Sequence, residues 1–145
     1  MISKTVLVAP EAFDAELSAE RVAAAIGRGL CANGAVEVDL CPISEVDRDV
    51  AAIKRHLATI DFDARMRAAR AIVVGTARLD ETTLLGSVAF ELATRARQAG
   101  VPAYAVTGAS SLDLFDTRIL DLQVTLVARD ARTLRRAGEQ LAQLV

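Results

Sequence analysis

The feature that most constrains this chain is a set of short apolar runs separated by longer amphipathic stretches. Thr5-Val6-Leu7-Val8-Ala9 and Ala71-Ile72-Val73-Val74-Gly75 are near-continuous apolar runs of strand length. Such runs belong to strands buried on both faces. Val101 to Thr107 reads as another, while Val36 to Cys41 and Leu122 to Val127 alternate and so keep one polar face. The intervening stretches carry helical spacing instead. Val22, Ile26, Gly29 and Leu30 mark one helix, with Ser18 as N-cap and Asn33-Gly34 as its stop. Val46, Val50, Ile53 and Leu57 mark a second with Ser44 as cap, and a short helix over 63–69 follows. Leu85, Val88, Leu92, Ala96 and Ala99 mark a long helix closed by Gly100. Leu134, Ala137, Leu141 and Leu144 mark the last, capped by Asp130.

Strands joined through helices need crossover connections. The predicted fold is therefore α/β, three layers in αβα order, with a mainly parallel sheet of about five strands. Length agrees with a single domain, since 145 residues fill one compact unit. At 52% hydrophobic and 25% charged, the composition is that of a globular chain. Net charge is −2 and only 3% of residues are aromatic, so no nucleic-acid partner is expected. No apolar run approaches the roughly 20 residues that span a bilayer, so no membrane partner is expected either. The N-terminus has no signal-peptide layout, and two cysteines make no disulfide framework. These features imply a reduced, cytoplasmic protein.

Ligands of parallel α/β sheets bind beyond the carboxyl ends of the strands. That rule selects the loops 10–17, 42–45, 76–82, 108–111 and 129–130. Arg78 and Asp80 form the sharpest candidate pair, placed after a buried strand and before a helix. The plainer reading makes Asp80 a helix cap and Arg78 its ion-pair partner, with Thr82 and Thr83 competing for the capping role. Glu11 is a candidate metal ligand or base, or else a solvated loop acid. Gly108-Ala109-Ser110-Ser111 reads as an anion-binding turn or a simple capped loop. His56 has no nucleophile beside it, and no metal site is expected. Cys31 and Cys41 read as small apolar fillers. Arg132, Arg135 and Arg136 read as a solvated helix face.

Two of these loops resemble signatures of the glycerate kinase family, which transfers phosphate from ATP to glycerate. The family's Pro-Asp-Ser-Phe-Lys-Gly-Ser-Leu-Ser-Ala is matched at Pro10, Phe13, Leu17, Ser18 and Ala19, and Glu11 keeps the acid. Its Gly-Glu-Gly-Arg-Leu-Asp-x-Gln-Thr-Leu-x-Gly-Lys is matched at Gly75, Arg78, Leu79, Asp80, Thr83, Leu84 and Gly86. Gly100-Val101-Pro102 and Ala105 to Gly108 follow the pattern too. The resemblance makes Arg78 and Asp80 the catalytic candidates. Glu11, Gly75, Thr76, Thr83, Gly86, Gly108 and Ser110 become ligand-binding candidates.

The departures from the pattern are chemical. Asp14 and Ser87 stand where the family has Lys, and Thr76-Ala77 replaces Glu-Gly. The family's Asp-Gly-Gly-Glu-Gly-Thr segment is replaced by Ser44-Glu45-Val46-Asp47-Arg48-Asp49. The predicted mouth carries Glu11, Asp14, Glu16, Glu45, Asp80 and Glu81 against Arg78 and Arg129, a balance that repels polyphosphate. Family members are also far longer, and the second domain is expected to be missing between the second helix and the Ala71 strand. The leading expectation is a relative without kinase activity or cofactor that binds a small carboxylate or phosphate ligand, or a protein partner. The alternatives are a minimal glycerate kinase using ATP and Mg²⁺, and a structural module forming homo-oligomers through apolar surface left by the missing domain.

Overall fold

The computed structural model describes residues 3–43 and 49–145. Five strands form one sheet: β1 (Thr5–Pro10), β2 (Glu37–Leu40), β3 (Ala71–Leu79), β4 (Ala103–Ser110) and β5 (Leu122–Val127). Their order is β2-β1-β3-β4-β5 and every pairing is parallel. The most apolar run, β3, is the central strand, as its composition requires. Among the described residues six α-helices connect and follow the strands: α1 (Ala19–Cys31), α2 (Val50–Thr59), α3 (Phe62–Arg67), α4 (Val88–Ala99), α5 (Leu114–Leu120) and α6 (Ala131–Ala142).

The pleat sends alternate side chains to opposite layers. Val6 and Val8 of β1 join Val73, Tyr104 and Val106 under α1 and α6, against Ile26, Leu30, Leu134 and Leu141. Leu7 and Ala9 join Ile72, Val74 and Ala105 under α2, α3 and α4, against Ile53, Leu57, Phe62 and Leu92. The expected three-layer αβα fold is the one observed. Among the described residues no helix is long and apolar enough to cross a membrane.

Local signals set several helix starts. The Ser18 hydroxyl accepts from the Arg21 N–H at 3.2 Å, and Asp130 accepts from the Thr133 N–H at 2.8 Å. Asp49 caps α2 through the Ala51 N–H. The expected Ser44 cap and Val46 lie outside the described residues. The strand at Glu37 to Leu40 is shorter than expected, and it is held from outside. The Arg65 guanidinium of α3 reaches Asp39 at 2.6 and 2.9 Å and also donates to the Leu40 carbonyl at 3.0 Å.

Other expectations need correction. The β3 and β4 strands run to Leu79 and Ser110, past the predicted ends, because their ladder continues through Arg78↔Ala109 and Leu79↔Ser110. Leu85 is not part of the long helix. It ends a separate 3-10 turn, Glu81–Leu85, and is 86% exposed. The α4 helix begins at Val88, with Ser87 as N-cap. The α5 helix was not predicted, because its apolar residues do not recur on an inward face; Leu114 and Phe115 are exposed and only Leu120 is buried. Leu144 lies beyond α6. Of the two thiols only Cys41 is a buried filler, and burial raises its pKa; Cys31 is exposed at the end of α1.

Candidate functional site

In the order β2-β1-β3-β4-β5 the chain leaves β1 toward β2 and returns past it to build β3. The crevice between the carboxyl ends of β1 and β3 is the switch point where ligands of such sheets bind. Both signature loops meet there. The Glu11 N–H donates to the Gly75 carbonyl at 2.8 Å, and the Ile43 N–H donates to the Pro10 carbonyl at 2.9 Å.

A side chain occupies the floor of this crevice. A methyl group built on Gly75 would lie 2.7 Å from Pro10 Cβ and 3.6 Å from the Phe13 ring. One built on Gly108 would lie 2.7 Å from the Ala77 carbonyl oxygen and 3.8 Å from the same ring. Phe13 therefore spans the two glycines, and its ring packs on the core beneath α1 and α6. Sequence reasoning passed over Phe13 as a site residue, although it is one of the matched signature positions.

The loop that carries Phe13 closes on itself. The Phe13 N–H donates to the Leu17 carbonyl at 2.9 Å. The Asp14 carboxylate accepts from the N–H groups of Glu16 and Leu17 at 2.8 and 2.7 Å. That is the self-bonding for which Asp is favoured in turns. Ser87 is equally committed. Its hydroxyl accepts from the Phe90 N–H at 3.0 Å and donates to the Thr83 carbonyl at 3.1 Å.

Asp80 is the N-cap of the 3-10 turn. It accepts from the Thr82 N–H at 2.9 Å and from the Thr82 hydroxyl. Thr83 completes a capping box, its buried hydroxyl accepting from the Asp80 N–H at 3.1 Å. Thr82 and Thr83 thus support Asp80 as the cap and do not compete with it. The Thr82 hydroxyl, helped by the Thr82 and Thr83 N–H groups and by Arg78, holds the Asp80 carboxyl below its ordinary pKa. Asp130 is lowered in the same way, by the Thr133 N–H and then the Thr133 hydroxyl.

A carboxylate whose pKa is depressed in the folded state stabilises that state above its unfolded pKa of about 3.9. The contribution is lost as pH falls through the lower, folded value. Acid unfolding of the double variant Asp80→Ala/Asp130→Ala is therefore expected to start from a lower stability at neutral pH. It should then show a shallower decline below about pH 4 than the parent. Circular dichroism at a series of pH values checks this; parallel curves would exclude these caps as a source of acid sensitivity.

The remaining candidates spread along the two strand ends. Arg78 lies in β3 itself, its backbone paired in register with Ala109, and its exposed side chain makes no hydrogen bond or ion pair among the described residues. Thr76 is half-buried and pairs in register with Thr107, whose hydroxyl donates to the Ala109 carbonyl at 2.9 Å. Gly108 and Ser110 belong to β4, so the expected anion-binding turn at 108–111 is replaced by paired strand. Gly86 joins the 3-10 turn to Ser87 with φ 123°, a conformation that favours glycine. Arg129, counted above as a mouth cation, donates to the Gly108 carbonyl at 3.1 Å. Glu45 lies outside the described residues. No cluster of three or more His, Cys, Asp or Glu suited to a metal occurs among the described residues. His56, on α2, is half-buried, with Nε2 buried and without a hydrogen-bond partner among the described residues.

An all-parallel sheet in this order defines an α/β domain of the doubly wound type. This chain belongs to the glycerate kinase family, whose model matches residues 49–145. The matched span contains the Gly75 to Gly86 signature and all that follows it. No curated protein matches the chain.

Proposed function

We propose that this glycerate kinase family domain binds a small carboxylate or phosphate ligand through Arg78 and does not transfer phosphate. The observation that carries the reading is the state of the cations at the strand ends. The exposed Arg78 side chain makes no hydrogen bond or ion pair among the described residues, whereas Arg129 directs its Nε to the Gly108 carbonyl. The two positions that carry Lys in the family signatures hold Asp14 and Ser87, both bonded to nearby backbone N–H groups. Phosphoryl transfer relies on several positive charges around the moving group. One guanidinium suffices to hold a carboxylate or a single phosphate, by a two-pronged contact.

Magnesium-ATP does not fit these residues. Asp80, the acid nearest Arg78 in the signature, is bonded to Thr82. The Asp14 carboxylate faces its own backbone, and Phe13 lies over the glycines that would let a phosphate approach. No catalytic step is therefore assigned to a bound nucleotide.

The test joins a coupled ATP-and-glycerate assay to titrations with glycerate and inorganic phosphate followed by calorimetry. The expected results are turnover at background and binding that weakens about tenfold or more in Arg78→Ala. Turnover above background that disappears in Asp80→Ala would instead establish a minimal kinase. Binding unchanged in Arg78→Ala would remove Arg78 from the site.

A further inference from the structure

The sheet has two edges, and they are treated differently. Edge strands expose unpaired N–H and C=O groups that template pairing with another strand, and proteins normally blunt them with charges or covering groups. The β2 edge is blunted. It carries Glu37 and Asp39, and Arg65 reaches over from α3 to take the Leu40 carbonyl as well as the Asp39 carboxylate. The opposite edge is not. The β5 strand, Leu122-Gln123-Val124-Thr125-Leu126-Val127, has no charged residue. Among the described residues its only neighbour in the sheet is β4. The Ala128 N–H donates inward to the Thr107 carbonyl at 2.9 Å. By strand alternation the amide groups of Val127 and Thr125 then face away from β4.

Apolar surface accompanies this edge. Val127 is 53% exposed, and the helix leading into the strand exposes Leu114 at 73% and Phe115 at 72%. Ile119 follows Phe115 by one turn and is exposed too. On a monomer these side chains stay in water, a cost that contact with a partner removes.

We infer that two copies of this chain pair edge to edge through β5 across a two-fold axis. A second copy fits this edge better than an unrelated strand does. A two-fold axis normal to the sheet makes the two β5 strands antiparallel, the stronger pairing geometry. It places Thr125 near the centre of the new ladder and joins two five-stranded sheets into one. Since β5 is uncharged, its own copy brings no like charge against it. The same axis sets both α5 helices on one side of the seam, where Phe115 and Ile119 cover it. The inference rests on the edge strand and stands apart from the ligand reading at Arg78.

Sedimentation velocity on the full chain, over a wide range of concentration, tests it. The expected result is a reversible dimer. Thr125→Pro should weaken it about tenfold or more, because it deletes an outward N–H that β4 does not use. Phe115→Glu should weaken it by a similar factor without touching the strand. Circular dichroism reports whether each variant folds; if Thr125→Pro does not, Val127→Lys puts a charge at the same seam and decides. A chain monomeric at every concentration would overturn the inference. So would a dimer that folded Thr125→Pro or Val127→Lys leaves intact.

Discussion

Replacing Gly138 by alanine is expected to lower the thermal unfolding midpoint by about 10 °C or more, a loss of about 4 kcal/mol. Two local effects point opposite ways at this position. Alanine is the better helix former by about 1 kcal/mol, so α6 alone would gain. The packing overrides that gain. A methyl group at Gly138 would lie 2.2 Å from the Ile26 carbonyl oxygen and 3.0 Å from Gly29 Cα. One at Gly29 would lie 2.0 Å from the Arg135 carbonyl oxygen and 2.7 Å from the Glu139 nitrogen. Both obstacles are backbone, so neither moves without separating α1 from α6. Separation would lift Ile26, Leu30, Leu134 and Leu141, all fully buried, from the sheet. Ordinary overpacking costs about 1–3 kcal/mol through side-chain adjustment, and that relief is missing here. Domains of this kind hold only about 5–15 kcal/mol in total. Gly29→Ala should behave the same way, and the pair should not add, since each methyl forces the same separation. A midpoint equal to or above the parent's in Gly138→Ala would mean that the helices do not cross on bare backbone.

That crossing marks what local sequence can and cannot convey. Val22, Ile26 and Leu30 announce α1, and Ser18 announces its start, because both signals lie within a few residues of one another. The apolar run at Ala71 announces the central strand, because burial on both faces leaves no room for polar side chains. Gly29, by contrast, reads as one more small residue on the helix until Gly138, more than a hundred positions away, is brought against it. The lengths of β3 and β4 were hidden for the same reason. Thr76 to Leu79 looks like a loop in isolation, and it becomes strand only because Gly108 to Ser110 lies beside it. The α5 helix was hidden because its apolar side chains face outward, which removes the periodicity that reveals a packed helix.

The candidate site was legible in position more than in role. Arg78 and Asp80 stand at the strand end where the motif places them. The capping box that occupies Asp80 depends on Thr82 and Thr83 turning back to it, and spacing alone did not settle which residue capped which. Gly75 and Gly108 are ligand-binding candidates by the family resemblance. Their geometry adds a packing role, since the space a Cβ would need is taken by Pro10 at Gly75 and by the Ala77 carbonyl at Gly108, with Phe13 beside both.

Gly75→Ala therefore separates a steric role from a binding role, and the expected result is steric. The new methyl would meet Pro10 Cβ at 2.7 Å and Pro10 Cα at 3.2 Å. The proline ring is rigid, and β1 pairs with β3 at this residue. The strain is relieved only by parting the two central strands at their carboxyl ends, where the Glu11 N–H holds the Gly75 carbonyl. An overpacked site of this sort costs about 2–3 kcal/mol. The Phe13 ring, 3.6 Å from the added methyl, should move with the loop and change its aromatic proton shifts. Arg78→Ala gives the reciprocal pattern. Its side chain is exposed and unpaired among the described residues, so its removal should leave stability within about 0.5 kcal/mol of the parent while weakening anion binding. If Gly75→Ala kept full stability and lost only the ligand, the glycine would be a phosphate-approach position after all, and Phe13 would have to yield that space on binding. A loss of stability with the Phe13 signals displaced would assign Gly75 to the fold, with Arg78 left to hold the ligand.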